Sequence, residues 1–240
     1  NNNTTLTLIQ TNAQLDPNTK FVLNGNAKVR FINSYVHGCN YMWDGIYPIA
    51  TGTVDILNSI VEDAKRVAID SLGAATILFT NSYINKNNVG IALIANKTST
   101  STVTVKNVLF TCSNVNIPVG ANKTPAVQAN LTNAATLGAF TSTVMLPPYN
   151  TQKSLCGIYL NAASHTGKTN SVITIGGATN EENVFDKMQH GIFSYDSKSN
   201  IQNNVFQNFK STIAPSSFNS NAGILLWGAL FGAGNGSYMS

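Results

Sequence analysis

Short runs of alternating apolar and polar residues recur along the chain: Thr53-Val54-Asp55-Ile56-Leu57, Ala75-Thr76-Ile77-Leu78-Phe79 and Thr102-Val103-Thr104-Val105. The period is two and the runs are short and rich in β-branched residues, so they predict strands with one face turned to a core. No window of about eleven residues follows a 3.6-residue period, and helices are not expected.

The runs are spaced by a repeat. Asn33-Ser34-Tyr35 is followed by Gly45-Ile46, Asn58-Ser59-Ile60 by Ala68-Ile69, and Asn81-Ser82-Tyr83 by Gly90-Ile91. Asn107-Val108-Leu109 pairs with Gly157-Ile158, Asn183-Val184-Phe185 with Gly191-Ile192, and Asn204-Val205-Phe206 with Gly223-Ile224. From Ile to the next Asn the count is 12 for 46 to 58, for 69 to 81 and for 192 to 204. From Asn to Ile it is 13, 11, 10, 51, 9 and 20, so one corner accepts insertions and the opposite side does not. Self-similarity at this period marks a solenoid. A leucine-rich repeat would need its own Leu spacing and a helical segment, so the expectation is an all-β, right-handed parallel β-helix of about six coils. The Asn residues are read as structural: Asn tolerates the left-handed conformation at a corner, and its amide can bond its counterpart one coil away at about 4.8 Å.

Residues 1 to 32 read as an incomplete leading coil. Arg30 and Asp55 both lie three residues before an anchor Asn, which predicts an ion pair between coils. Residues 113 to 154, rich in Ala, Thr and Asn, read as one long excursion without an Asn-x-aromatic anchor, and Ser211 to Asn221 as a smaller one at the same corner. Residues 1–240 are taken as a single β-helix domain. No polar cap is visible after Ile224-Leu225-Leu226-Trp227 and the Gly-rich tail, so the chain reads as a piece of a longer protein or as covered by a partner.

Composition narrows the classes. Only 10% of residues are charged, and roughly one in seven is Asn. That balance suits a secreted, β-rich protein living in the extracellular space or on the cell surface. The net charge of +4 comes from 14 scattered Lys and Arg without a basic run, so nucleic acid is not an expected partner. No apolar run reaches a membrane span. Cys39, Cys112 and Cys156 lack metal-ligand spacing and read as buried apolar residues, with at most one disulfide between them; neither a metal nor a cofactor is expected.

The repeat, with Cys39-Asn40-Tyr41-Met42-Trp43-Asp44-Gly45-Ile46 and Ser59-Ile60-Val61-Glu62-Asp63-Ala64-Lys65-Arg66-Val67-Ala68-Ile69, resembles the pectin-lyase-like β-helix proteins. More narrowly, it is similar to secreted β-helix proteins of Bacteroidota, many of them cargo of the type IX secretion system. The resemblance spans about residues 20 to 230 without the insertion and is specific for fold rather than function. It implies a polysaccharide lyase or glycoside hydrolase as one activity, with calcium as the cofactor in the lyase case. The acid clusters of characterised pectate lyases and the Asn-Thr-Asp and paired-Asp motifs of polygalacturonases do not occur here.

Two candidate sites follow. Counting four residues past each anchor gives His37, Glu62, Asn85, Thr111, Lys187 and Asn208 as one column, with Asp63, Lys65 and Arg66 beside it. Two carboxylates and a base are the minimal kit for glycoside hydrolysis or β-elimination. Glu62, Asp63 and Arg66, with Asp44, are therefore the catalytic candidates under an enzymatic reading; the alternative is a mutually neutralising charge cluster. His165 and His190 lack the partners of a nucleophilic triad. The second candidate is aromatic: Tyr41, Trp43 and Tyr47 lie close together, and the position after each Gly-Ile reads Tyr47, Asp70, Ala92, Tyr159, Phe193 and Leu225. Flat rings beside amides suit glycan contact, which makes Tyr41, Trp43, Tyr47 and Tyr159 the binding candidates, with Trp43 as an interior plug the alternative. The expected function is a non-catalytic module for adhesion or carbohydrate contact, its partner a surface glycan or a surface or secretion protein.

Overall fold

The computed structural model describes residues 3–39, 41–49, 51–70, 74–94, 101–112, 154–161, 172–195, 199–209, 222–227 and 238–239. Every regular element among them is a strand. The first coil is β1 (Thr5–Ile9), β2 (Asn12–Leu15) and β3 (Lys20–Leu23); the second is β4 (Lys28–Ile32), β5 (Tyr35–Gly38) and β6 (Trp43–Pro48). The third is β7 (Thr53–Leu57), β8 (Ile60–Glu62) and β9 (Ala64–Asp70). In the next two coils the strand continues through the corner, giving β10 (Thr76–Asn85) with β11 (Val89–Ile94), then β12 (Thr102–Thr111) with β13 (Ser154–Asn161). The sixth is β14 (Val172–Ile175), β15 (Val184–Asp186) and β16 (Met188–Tyr195). Last come β17 (Asn200–Ile201), β18 (Val205–Gln207) and β19 (Ala222–Trp227), with β20 (Tyr238–Met239) paired to β17.

All pairings are parallel, and each strand stacks on its equivalent one coil away. One sheet runs β1-β4-β7-β10-β12-β14-β17-β20 and carries the corner strands β2, β5, β8, β15 and β18; the second runs β19-β16-β13-β11-β9-β6-β3. The chain is thus a parallel β-solenoid, as the repeat predicts. About five turns have a neighbour on both sides. Six coils were expected from the anchors, and the leading segment, expected as an incomplete coil, is itself three paired strands. The excursions at 113–154 and 211–221 fall, apart from Ser154, outside the described residues.

Alternation builds the walls. Val54 and Ile56 of β7 and Ile77 and Phe79 of β10 are buried, while Thr53, Asp55, Thr76 and Leu78 lie outward and half-exposed. Outward Arg30 meets outward Asp55 in register, Nε to Oδ2 at 2.8 Å, so the ion pair expected from the anchor spacing is present.

The corner is where the sequence repeat needs correction. Asn33, Asn58, Asn81 and Asn107 adopt the left-handed conformation, with φ of 51°, 48°, 49° and 53°. Asn107 Nδ2 donates to Asn81 Oδ1 at 2.7 Å, one rung of the expected ladder. The residue after the anchor makes a more regular one. Ser59 Oγ accepts the Ser34 N–H at 3.0 Å, and Ser82 Oγ accepts that of Ser59 at 3.1 Å. Asn183 and Asn204 belong to this serine column, one residue out of step with the other anchors, since β12 pairs Leu109 with Val184 and β15 pairs Val184 with Val205. Asn183 Oδ1 accepts the Val108 N–H at 2.9 Å, and its amide donates to Asn204 Oδ1 and to the Val105 carbonyl, both at 2.9 Å. In the last coil the left-handed residue is Asn203, with φ of 48°.

The core fills in two styles. Val36, Val61 and Ile84 line the corner wall early on, and Phe110, Phe185 and Phe206 later, their rings stacked at 4.9 Å and nearly parallel. Opposite these rings stand glycines: a Cβ on Gly157 would lie 2.8 Å from Phe185 and 2.7 Å from the Gly191 carbonyl oxygen.

Candidate functional site

The shift of register changes the polar column. It runs His37, Glu62, Asn85 and Thr111 as expected, then Asp186 and Gln207 in place of Lys187 and Asn208. These residues lie on the strand face opposite the core, and the central ones are buried: Glu62 is 3% exposed, and Asn85, Thr111 and Asp186 are fully covered. Each carboxylate has neutral donors. The Tyr35 hydroxyl donates to Glu62 Oε2 at 2.8 Å and Asn85 Nδ2 to Oε1. Thr111 Oγ1 donates to Asp186 Oδ2 at 3.0 Å and Asn208 Nδ2 to Oδ1 at 2.6 Å. Burial raises the Tyr35 hydroxyl far above its usual range, with the Glu62 charge adding to it, and burial also raises Asp186 against the pull of Asn208 and Thr111. His37 stacks on Tyr35 at 4.3 Å and reaches Asn12 Oδ1 at 3.1 Å rather than Glu62.

Asp63 sits in the left-handed turn between the corner and the second sheet, with φ of 58° and 8% exposure. Burial, then the charge of Glu62, pushes its carboxyl up to about 7, while Lys86 and the Gly38 backbone pull it down. The four catalytic candidates are thus divided. Glu62 is on the corner column, Asp63 in the turn, Asp44 on β6 in an ion pair with Lys65, and Arg66 on β9, its charge acting on the Tyr47 hydroxyl. Among the described residues no group of three or more His, Cys, Asp or Glu side chains could hold a metal ion.

The aromatic candidates separate as well. Trp43 is fully buried: its indole meets Phe21 edge-on at 6.0 Å, and Nε1 donates to the Glu62 carbonyl at 2.9 Å. Trp43 is the interior plug, and it leaves the contact surface because β6 turns it inward against the first-coil core. Tyr41 is 52% exposed. Tyr47, Ile69, Ala92, Tyr159 and Phe193 form one outward column on the second sheet, with Ile69 where the spacing predicts Asp70, because Ala68 is the register partner of Ile46 and Ile91. Tyr47 and Tyr159 pack half-buried against Ile69, Val89 and Ala92, and Tyr159 stacks on Phe193 at 5.3 Å. Burial raises the Tyr47 hydroxyl, helped by Asp44 and opposed by Arg66 and Lys65.

Asp186 and Phe193 were missed as site residues for different reasons. The one-residue drift of the Asn anchor hides Asp186, whereas Phe193 is visible at the position after Gly-Ile once that position is known to face outward. Comparison with known proteins adds no relative: no family model, no curated protein and no solved structure matches this chain. No helix among the described residues is long and apolar enough to cross a membrane.

Proposed function

We propose that the solenoid is a non-catalytic contact module that holds a glycan, or a partner displaying one, along the outer face of its second sheet. The observation that carries this reading is the outward column of half-buried rings, Tyr47, Tyr159 and Phe193, on a rigid sheet, beside the exposed Tyr41. Rings held by their neighbours lose little freedom when a sugar face lies on them, and the polar groups at Asp44, Lys65 and Arg66 supply hydrogen bonds beside Tyr47. The buried carboxylates, held by neutral donors, fit a structural role better than that of a proton carrier exposed to substrate. A surface location, and export by the type IX route, belong to the same proposal; protease shaving of intact producing cells tests the location.

Affinity electrophoresis in gels containing neutral or uronate-bearing polysaccharides, beside an assay for reducing ends and unsaturated products, tests the function. Tyr159→Ala and Tyr47→Ala should weaken retardation by about tenfold, while Glu62→Gln leaves it unchanged and no product appears. The rival reading draws on the raised carboxyl of Asp63 beside Glu62. Turnover by the parent chain, lost in a folded Glu62→Gln variant, would replace the contact module with a lyase or hydrolase.

A further inference from the structure

A second outward column runs beside the rings: Arg66, Val89, Cys156 and His190. Cys156 and His190 are register partners on β13 and β16, so their Cβ atoms project to the same side at the strand spacing of about 4.8 Å. Three residues further along the same strands stand Tyr159 and Phe193, completing a two-by-two array. Phe193 stacks on Tyr159 and meets the His190 ring edge-on at 5.9 Å.

Both polar members are covered: Cys156 is 3% exposed and His190 5%. Cys156 Sγ donates to the Ile158 carbonyl at 3.0 Å, and burial pushes the thiol up to about 12. Burial also lowers the imidazole, which favours its neutral form. His190 Nδ1 is buried with no hydrogen-bond partner among the described residues, against the rule that buried polar atoms are bonded. Sγ lies one bond beyond its Cβ and Nδ1 two bonds beyond its own, so both are close to the level of the strands.

We propose that Cys156 and His190 form a two-coordinate site for a soft monovalent cation, Cu(I). Metal–sulfur and metal–nitrogen bonds of about 2.3 and 2.1 Å need donors about 4.4 Å apart, close to the strand spacing. Thiolate and imidazole together suit Cu(I), whereas structural zinc requires four ligands. Charge selects in the same direction. Cu(I) displaces the thiol proton, which leaves to solvent, and the unit of cation, thiolate and neutral imidazole carries no net charge; a divalent ion would leave one buried positive charge. No electron is transferred.

Anaerobic titration of the reduced full chain with Cu(I) against bicinchoninate tests the site. One equivalent per chain should be withheld from the competitor, with one sulfur and one nitrogen donor in copper K-edge absorption. Cys156→Ser and His190→Phe should each lose that equivalent, and a Cys39→Ser/Cys112→Ser variant should keep it. Failure of the parent chain to retain copper, retention by His190→Phe, or loss in the Cys39/Cys112 variant overturns the proposal. The absorption spectrum of the parent chain decides independently of whether a variant folds: a sulfur-only shell also overturns it.

Discussion

The early and late coils close the same corner with different chemistry. In the second to fourth coils a serine hydroxyl accepts the N–H of the coil before, and Val36, Val61 and Ile84 fill the wall behind it. In the sixth the Asn183 amide takes the hydroxyl's place and in turn donates from its side chain to Asn204 of the last coil, and phenylalanine rings fill the wall. The opposite wall compensates: Val67 precedes a column that becomes Gly90, Gly157 and Gly191, each against the ring of a following coil. What the backbone demands is an acceptor at one point and a constant volume across the core, and two sets of residues meet that demand.

Removing the late filling is expected to have the largest effect. Phe185→Ala should cost about 3–5 kcal/mol, and Gly157→Ala about 1–3 kcal/mol through overpacking against the ring and the Gly191 carbonyl. Denaturant unfolding of the double variant should show a total below the sum, because the shortened side chain relieves the contact of the added methyl. Strict additivity would break the link between the two walls. At the corner, Ser59→Ala leaves the buried Ser34 N–H without an acceptor and should cost about 1–3 kcal/mol. Asn183→Ser should cost less than Asn183→Ala if the two columns are equivalent, and equal melting temperatures would separate them.

A pH scan compares the carboxyls of the two halves. Asp63 is raised from its ordinary 3.8 to about 7, so over that window the unfolded chain has released a proton that the folded one retains. Stability is then fully present below about pH 4 and lost as pH rises towards 7, and Asp63→Asn should flatten that slope. A slope that survives in the variant would point to Asp186, raised in the same direction. The smallest effect belongs to the surface: Arg30→Ala breaks a partly exposed pair and should cost about 0.2–1 kcal/mol, falling with added salt.

The solenoid and most of its register were legible because strand alternation reports on the backbone; the equal Ile-to-Asn counts did not hold, since Ala68 rather than Ile69 stands level with Ile46 and Ile91, and Asn203 rather than Asn204 turns the last corner. Arg30–Asp55 and the His37–Glu62–Asn85–Thr111 column could be counted directly. Register became illegible where one amino acid serves two corners. Asn107 supplies a left-handed backbone and Asn183 a side-chain acceptor, and the letter alone does not distinguish the two uses. The direction of Trp43 was equally hidden: an aromatic near a turn has the same spacing whether it faces the core or the solvent, and only the packing of Phe21 against it decides.

Corner bonds also set an order of events in time. Stacked partners are 25 residues apart for Ser34 and Ser59, 23 for Ser59 and Ser82, but 75 for Val108 and Asn183. In the unfolded chain, closing the longer span costs about 1 kcal/mol more than closing the shorter ones. The first four coils and β12 should therefore assemble on one another, and the later coils dock onto the finished edge of β12. Pulse-labelled hydrogen exchange during refolding would then protect the Ser59 amide before that of Val108, making the step between the fifth and sixth coils the slow joint of the rod.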